Sequence, residues 1–156
     1  MQSKHNWIWF ALIPAAGLFV LLGGIFIFAV ISPDMDTMGT LVEVELDAPP
    51  QANGKIALIS LEGTIVSSGP QGGVTGHALR SLKQAKADDD VSVVLLDVNT
   101  PGGSVTDSDL IYNRIKQVRA AGKHVYVLFG DLCASGGYYL AVAAQEIWSR
   151  PTSITG

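Results

Sequence analysis

Asn99-Thr100-Pro101-Gly102-Gly103-Ser104 and, one helix and one strand later, Cys133-Ala134-Ser135-Gly136-Gly137-Tyr138-Tyr139 are the segments that decide the fold of this chain. Each is a glycine-rich turn leaving a largely apolar run, Val91 to Val98 in the first case and His124 to Phe129 in the second. Short apolar runs bounded by turn residues predict buried strands. Between them lies a helix with Ser104 as N-cap and Asp107 in the capping-box position. Its buried stripe is Ile111, Ile115 and Val118, Lys116 and Arg119 lie near its last turn, and Gly122 closes it.

Outward from these turns the same alternation continues. Ile56 to Leu61 predicts another buried strand, stopped by Glu62-Gly63. Ser67 to Gly76 has the composition of a loop, and His77 to Ala87 carries Leu79, Leu82 and Ala85 at helical spacing. Asp88-Asp89-Asp90 predicts a solvated turn, since adjacent carboxylates do not converge on one cation. Tyr138 to Ala144 predicts a helix and Glu146 to Ser149 a further strand. Strand, helix, strand, helix, strand, helix, strand is the order of an α/β fold with a parallel sheet and right-handed crossovers.

Residues 54–156 form the predicted domain, and three segments precede it. Residues 1–6 are a short polar start. Trp7 to Ile31 carries no charged side chain and is long enough to span the roughly 30 Å hydrocarbon core of a bilayer, so it predicts a transmembrane anchor. A cleaved signal peptide fits less well, because its apolar region is shorter. Lys4 lies before the run and no Lys or Arg follows until Lys55, which predicts a single pass with the N-terminus in the cytoplasm and the domain outside the cytoplasmic membrane. Residues 32–53 predict a linker with one short strand at Val42 to Leu46, ended by Pro49-Pro50.

Composition narrows the function. Ten basic residues against 14 acidic give a formal net charge of −4, and no basic run occurs, which argues against a nucleic-acid partner. Cys133 is the single cysteine, so no internal disulfide forms. It precedes Ser135 by two residues and predicts a small buried side chain rather than a second nucleophile. No metal site or cofactor is expected.

Consecutive parallel strands point the same way, so the two turns lie together at the carboxyl edge of the sheet, where parallel sheets bind ligands. Two helix N-termini with unpaired N–H groups then face one crevice. Side chains at Gly102, Gly103 or Gly136 would keep a substrate from those N–H groups, so these glycines are the candidate oxyanion hole and Ser135 the candidate attacking hydroxyl.

From Gly54 onward the chain resembles the signal peptide peptidase A family, the S49 serine peptidases, whose fold is that of the Clp protease and crotonase group. The residues that carry the resemblance are Ile59-Ser60-Leu61-Glu62-Gly63-Thr64-Ile65, Asp97 to Ser104, Ala134-Ser135-Gly136-Gly137-Tyr138-Tyr139-Leu140-Ala141, and Pro151 to Gly156. The resemblance implies that Ser135 is the nucleophile, that Gly102-Gly103 contributes to the oxyanion hole, and that an N-terminal membrane anchor is common. It implies peptide substrates, such as cleaved signal peptides or other membrane-derived peptides, and homo-oligomeric rings.

It also implies a lysine as general base several dozen residues beyond the serine. No lysine follows Ser135 here, so the base is expected beyond residue 156 and the chain reads as truncated, with an incomplete sheet and little activity of its own. His77 and His124 do not replace it, since His124 opens its strand at the edge opposite Ser135. Two other readings stay open: an inactive, membrane-tethered assembly partner of full-length relatives, and a crotonase-type acyl-CoA enzyme.

Overall fold

The computed structural model describes residues 54–69 and 71–156. The predicted anchor and the linker strand lie outside them, and among the described residues no helix is long and apolar enough to cross a membrane. Four strands, β1 (Lys55–Glu62), β2 (Val91–Thr100), β3 (His124–Cys133) and β4 (Glu146–Ser149), pair in parallel in their order along the chain. A two-residue strand, β5 (Ile154–Thr155), pairs with the end of β3 beyond β4. The helices are α1 (Gly73–Ala87), α2 (Val105–Ala120) and α3 (Gly136–Ala141).

Right-handed crossovers that always step the same way leave every helix on one face of the sheet. Burial follows that geometry. Three rows run across the covered face, Ala57–Val94–Val125, Ile59–Leu96–Val127 and Leu61–Val98–Phe129, each residue in register with the next and each buried. Ile111, Ile115 and Val118 of α2 and Ala78, Leu82 and Ala85 of α1 complete this core. The other face starts from Ile56 and Leu58 and reaches Trp148, with Leu58 60% and Trp148 61% exposed.

Several boundaries differ from the sequence expectation, each for a tertiary reason. Helix α1 starts at Gly73, not His77, because its first turn is built from Gly73, Val74, Thr75 and Gly76, and Gly76 N–H reaches Gly72 O at 2.7 Å. Strand β3 continues past Phe129 to Cys133. Three of its residues, Gly130, Asp131 and Leu132, stand opposite Asn99 alone, and the Asn99 Oδ1 accepts Leu132 N–H at 3.1 Å, replacing a ladder bond. Helix α3 begins at Gly136 and ends at Ala141, displaced toward the N-terminus from the expected Tyr138 to Ala144. The cap of α2 is half a capping box. Ser104 Oγ accepts Asp107 N–H at 3.2 Å, but the Asp107 carboxylate accepts Ser67 N–H at 2.9 Å and Ser67 Oγ–H at 2.8 Å instead of reaching back.

Lys123, just before a strand, is buried rather than solvated. It is 8% exposed, and its Nζ donates to Asp88 O and Val91 O, bolting the α1–β2 turn to the start of β3. The aspartate turn itself is solvated as expected, with Lys55 Nζ 3.6 Å from both Asp88 and Asp90 carboxylates. Among the described residues no cluster could hold a metal ion.

Candidate active site

Parallel pairing brings the exits of β2 and β3 to one edge, and the two glycine-rich turns touch there. A Cβ added to Gly102 would sit 2.8 Å from both Gly136 N and Ser135 Cβ. The first turn is held from below by the segment after β1: Ile65 N–H donates to Gly102 O at 2.9 Å and Ser104 N–H to Ile65 O at 2.8 Å. Ile65 itself is fully buried, so this clamp is fixed in the core.

Ser135 occupies a sharp turn between β3 and α3, with φ 52° and ψ −118°. Among the described residues it is the one non-glycine at positive φ. A side chain is strained in that region of backbone space, and such strain concentrates at functional sites. A serine opening a helix would ordinarily spend its hydroxyl on a cap, yet the Ser135 side chain makes no cap hydrogen bond. The turn is instead fixed through its backbone: Ser135 N–H donates to Gly156 O at 2.6 Å, Ala134 N–H to Thr100 O at 3.1 Å, and Gly137 N–H to Ala134 O at 2.9 Å. The hydroxyl is left exposed and free of hydrogen bonds among the described residues.

The three candidate glycines play different parts. Gly103 N–H and Gly136 N–H have no hydrogen-bond partner among the described residues, and a Cβ on Gly136 would lie 3.5 Å from Gly103 N. Gly102 differs from the expectation. Its N–H is already taken by Thr100 Oγ1 at 3.0 Å, so it cannot donate to a ligand; its φ of 96° and close approach to Ser135 make it the shape of the turn.

Beside Ser135 a half-open pocket of about 200 Å³ is lined by Gly103, Val105, Ser108, Ser135, Gly136 and Tyr139. Three of these, Val105, Ser108 and Tyr139, were not legible as site residues. Their helical positions in the first turns of α2 and α3 are the signal that places them at the edge. Tyr139 is held by its hydroxyl, which donates to Asp109 Oδ1 at 2.8 Å, and by stacking on Tyr112 with ring centroids 5.0 Å apart. The hydrogen bond to Asp109 pushes the Tyr139 hydroxyl above its ordinary pKa.

No lysine or histidine hydrogen-bonds to Ser135 among the described residues. His124 sits at the opposite end of β3 against Gln145, as expected, and Lys116 lies over the Tyr112 ring, 5.4 Å from its centroid.

Cys133 is buried, and burial pushes its thiol up to about 11. The thiolate is the reactive form, so iodoacetamide at pH 8 is expected to leave folded Cys133 unmodified while alkylating it in urea. Because the folded pKa is raised above the unfolded 9.0, the unfolded chain loses this proton first. Stability is therefore expected to fall as pH rises from about 9 through about 11, an effect Cys133→Ala removes. Equal alkylation with and without urea would count against a buried, neutral thiol.

The Peptidase family S49 model matches residues 117–156. Protease 4 of Salmonella typhi is 37% identical over 116 residues, covering 73% of this chain and 19% of the relative. Protease 4 of Haemophilus influenzae is 38% identical over 104 residues, covering 65% of this chain and 17% of the relative. The chain thus spans about a fifth of the length of these curated relatives. Among solved structures, the 1510-N membrane protease of Pyrococcus horikoshii, specific for a stomatin homologue, superposes with a TM-score of 0.55 at 22% identity, covering 67% of this chain and 50% of that one. ClpP1 of Listeria monocytogenes gives 0.53 at 20%, covering 63% and 53%. An enoyl-CoA hydratase/isomerase family member gives 0.54 at 18%, so the architecture is the one shared by Clp proteases and crotonases. Matching motifs, matching fold and relatives above 35% identity agree that the chain belongs to the S49 peptidase family, the family of signal peptide peptidase A.

Proposed function

We propose that the described residues form the nucleophile and oxyanion half of a serine peptidase site. The observation that carries this reading is Ser135 held at φ 52° with an uncapped, exposed hydroxyl beside two N–H groups, those of Gly103 and Gly136, that are unpaired among the described residues. Attack by Ser135 Oγ on a peptide carbonyl forms the acyl C–O bond and moves charge onto the carbonyl oxygen. Two fixed donors at that position stabilise the charge, each typically worth roughly 3 kcal/mol. The pocket lined by Val105 and Tyr139 accepts an apolar side chain next to the scissile bond.

The proton of Ser135 needs an acceptor, in the family reading a lysine, and among the described residues none hydrogen-bonds to the Ser135 hydroxyl. The uncharged run from Trp7 to Ile31 supports a membrane anchor with this domain on the extracytoplasmic side, and signal peptides or other membrane-derived peptides as substrates. Oligomers with like chains belong to the same reading. A non-catalytic, membrane-tethered partner role is the second reading. An acyl-CoA site of this fold needs no strained serine.

The test is covalent capture of the full 156-residue chain, in detergent, by a fluorophosphonate at pH 9, where hydroxide acts as the base. The expected result is one adduct, mapped to Ser135 by tandem mass spectrometry and missing from Ser135→Ala. An adduct elsewhere, or equal labelling of the variant, removes Ser135 from the chemistry.

A further inference from the structure

Thr100 engages all three segments that meet at the site. It is 1% exposed at the last position of β2. Its Oγ1 accepts Gly102 N–H at 3.0 Å and donates to Gly63 O, at the turn after β1. Its carbonyl accepts Ala134 N–H at 3.1 Å, next to Ser135. Its methyl faces the second turn, since a Cβ on Gly137 would come within 2.4 Å of Thr100 Cγ2.

A hydroxyl with both an acceptor and a donor role, buried and fully used, fixes direction as well as distance. Gly102 N–H belongs to the Pro101–Gly102 peptide, so its bond to Thr100 fixes the peptide before the one that carries Gly103 N–H, while Gly102 O in that next peptide accepts Ile65 N–H at 2.9 Å. We propose that Thr100 is a positioning residue: by fixing the Pro101–Gly102 peptide and, through Gly63 O, the segment whose Ile65 N–H holds Gly102 O, its hydroxyl keeps Gly103 N–H at the point where Gly136 N–H also converges, and its backbone and methyl lock that point to the Ser135 turn. This rests on the reading of Ser135 as the nucleophile, and adds a residue that touches no substrate. Donors displaced by a fraction of an ångström lose stabilisation of the developing charge while the ground-state pocket survives.

The experiment measures phosphonylation of Ser135 by a fluorophosphonate in the full chain at pH 9. Ser135 Oγ forms a bond to phosphorus, fluoride leaves with the P–F electron pair, hydroxide takes the proton, and the phosphoryl oxygen occupies the oxyanion position. Thr100→Val keeps the branched shape and removes the hydroxyl. The maximal labelling rate is expected to fall on the order of tenfold with the probe's dissociation constant little changed, and Thr100→Ser is expected to restore it to within about threefold. Amide exchange gives a second readout in the wild type: Gly102 N–H is expected to be protected, Gly103 and Gly136 N–H not. Thr100→Val labelling at the wild-type rate, Thr100→Ser falling as far as Thr100→Val, or Gly102 exchanging as fast as Gly103 would each overturn the proposal. The exchange readout stands even where Thr100→Val does not fold. Failure of the underlying reading looks different, as wild-type chain carrying no adduct on Ser135.

Discussion

Gly103→Ala is expected to cost about 3 to 5 kcal/mol of stability and to slow Ser135 phosphonylation more than about a hundredfold. An alanine Cβ there would sit 2.2 Å from Ile65 O and 2.8 Å from Ile65 C and N. These are backbone atoms of a residue buried in the core, so no rotamer change relieves the clash. The Ile65–Gly103 bridge has to open, with loss of the 2.9 Å and 2.8 Å bonds that clamp the turn. Overpacking accounts for about 1 to 3 kcal/mol and each lost bond for about 0.5 to 1.5. Gly136→Ala is the informative comparison, because its Cβ meets the Ser108 Oγ at 2.2 Å, a hydroxyl able to rotate away from its bond to Ser104 O. Urea denaturation followed by circular dichroism measures the first effect, and adduct formation the second. A Gly103→Ala chain within about 1 kcal/mol of wild type would mean that the clamp yields, contrary to its burial.

Lys123→Met carries the next largest expected effect, a loss of about 2 to 3 kcal/mol with no change in Ser135 reactivity. Methionine fills much of the space of the lysine stem but offers no donor to Asp88 O and Val91 O. Val91 O lies in a buried contact and loses the lysine donor, whereas Asp88 is half-exposed and water replaces the lysine there, which keeps the cost below the sum of two charge-assisted bonds. Lys123 precedes β3 at the edge opposite Ser135, so stability and labelling separate in this variant. A midpoint unchanged in urea would assign the ammonium to solvent.

The alternation of strands and helices and the cap at Ser104 were legible because each is local in sequence, and the meeting of the two turns because consecutive parallel strands end at one edge. What was not legible depends on contacts between distant residues. Helix α1 hides its first turn in glycines, and β3 extends because Asn99, 33 residues earlier, completes its hydrogen bonding. Asp107 carries the right spacing for a capping box, but Ser67, 40 residues away, offers two donors and takes the carboxylate. Within the site, residue type identified Ser135 and the glycines, while only the hydrogen bond from Gly102 to Thr100 separates the glycine that shapes the turn from the two whose N–H groups stay open. Lysines are ordinarily surface residues, and two backbone carbonyls bring Lys123 inside.

Strand order that follows chain order has a consequence for how the protein is made. As synthesis proceeds from the N-terminus, each new strand finds its partner edge already present: β2 closes on β1, β3 on β2, β4 on β3. Among these four strands each finds its neighbour in the order of synthesis, and only the end of β3 waits for β5, which limits the time an apolar edge stands unpaired. The Ser135 turn is completed after these four strands, since its N–H bonds Gly156 O, which follows them in the sequence. The strained residue is thus shaped only after the scaffold that holds it has formed.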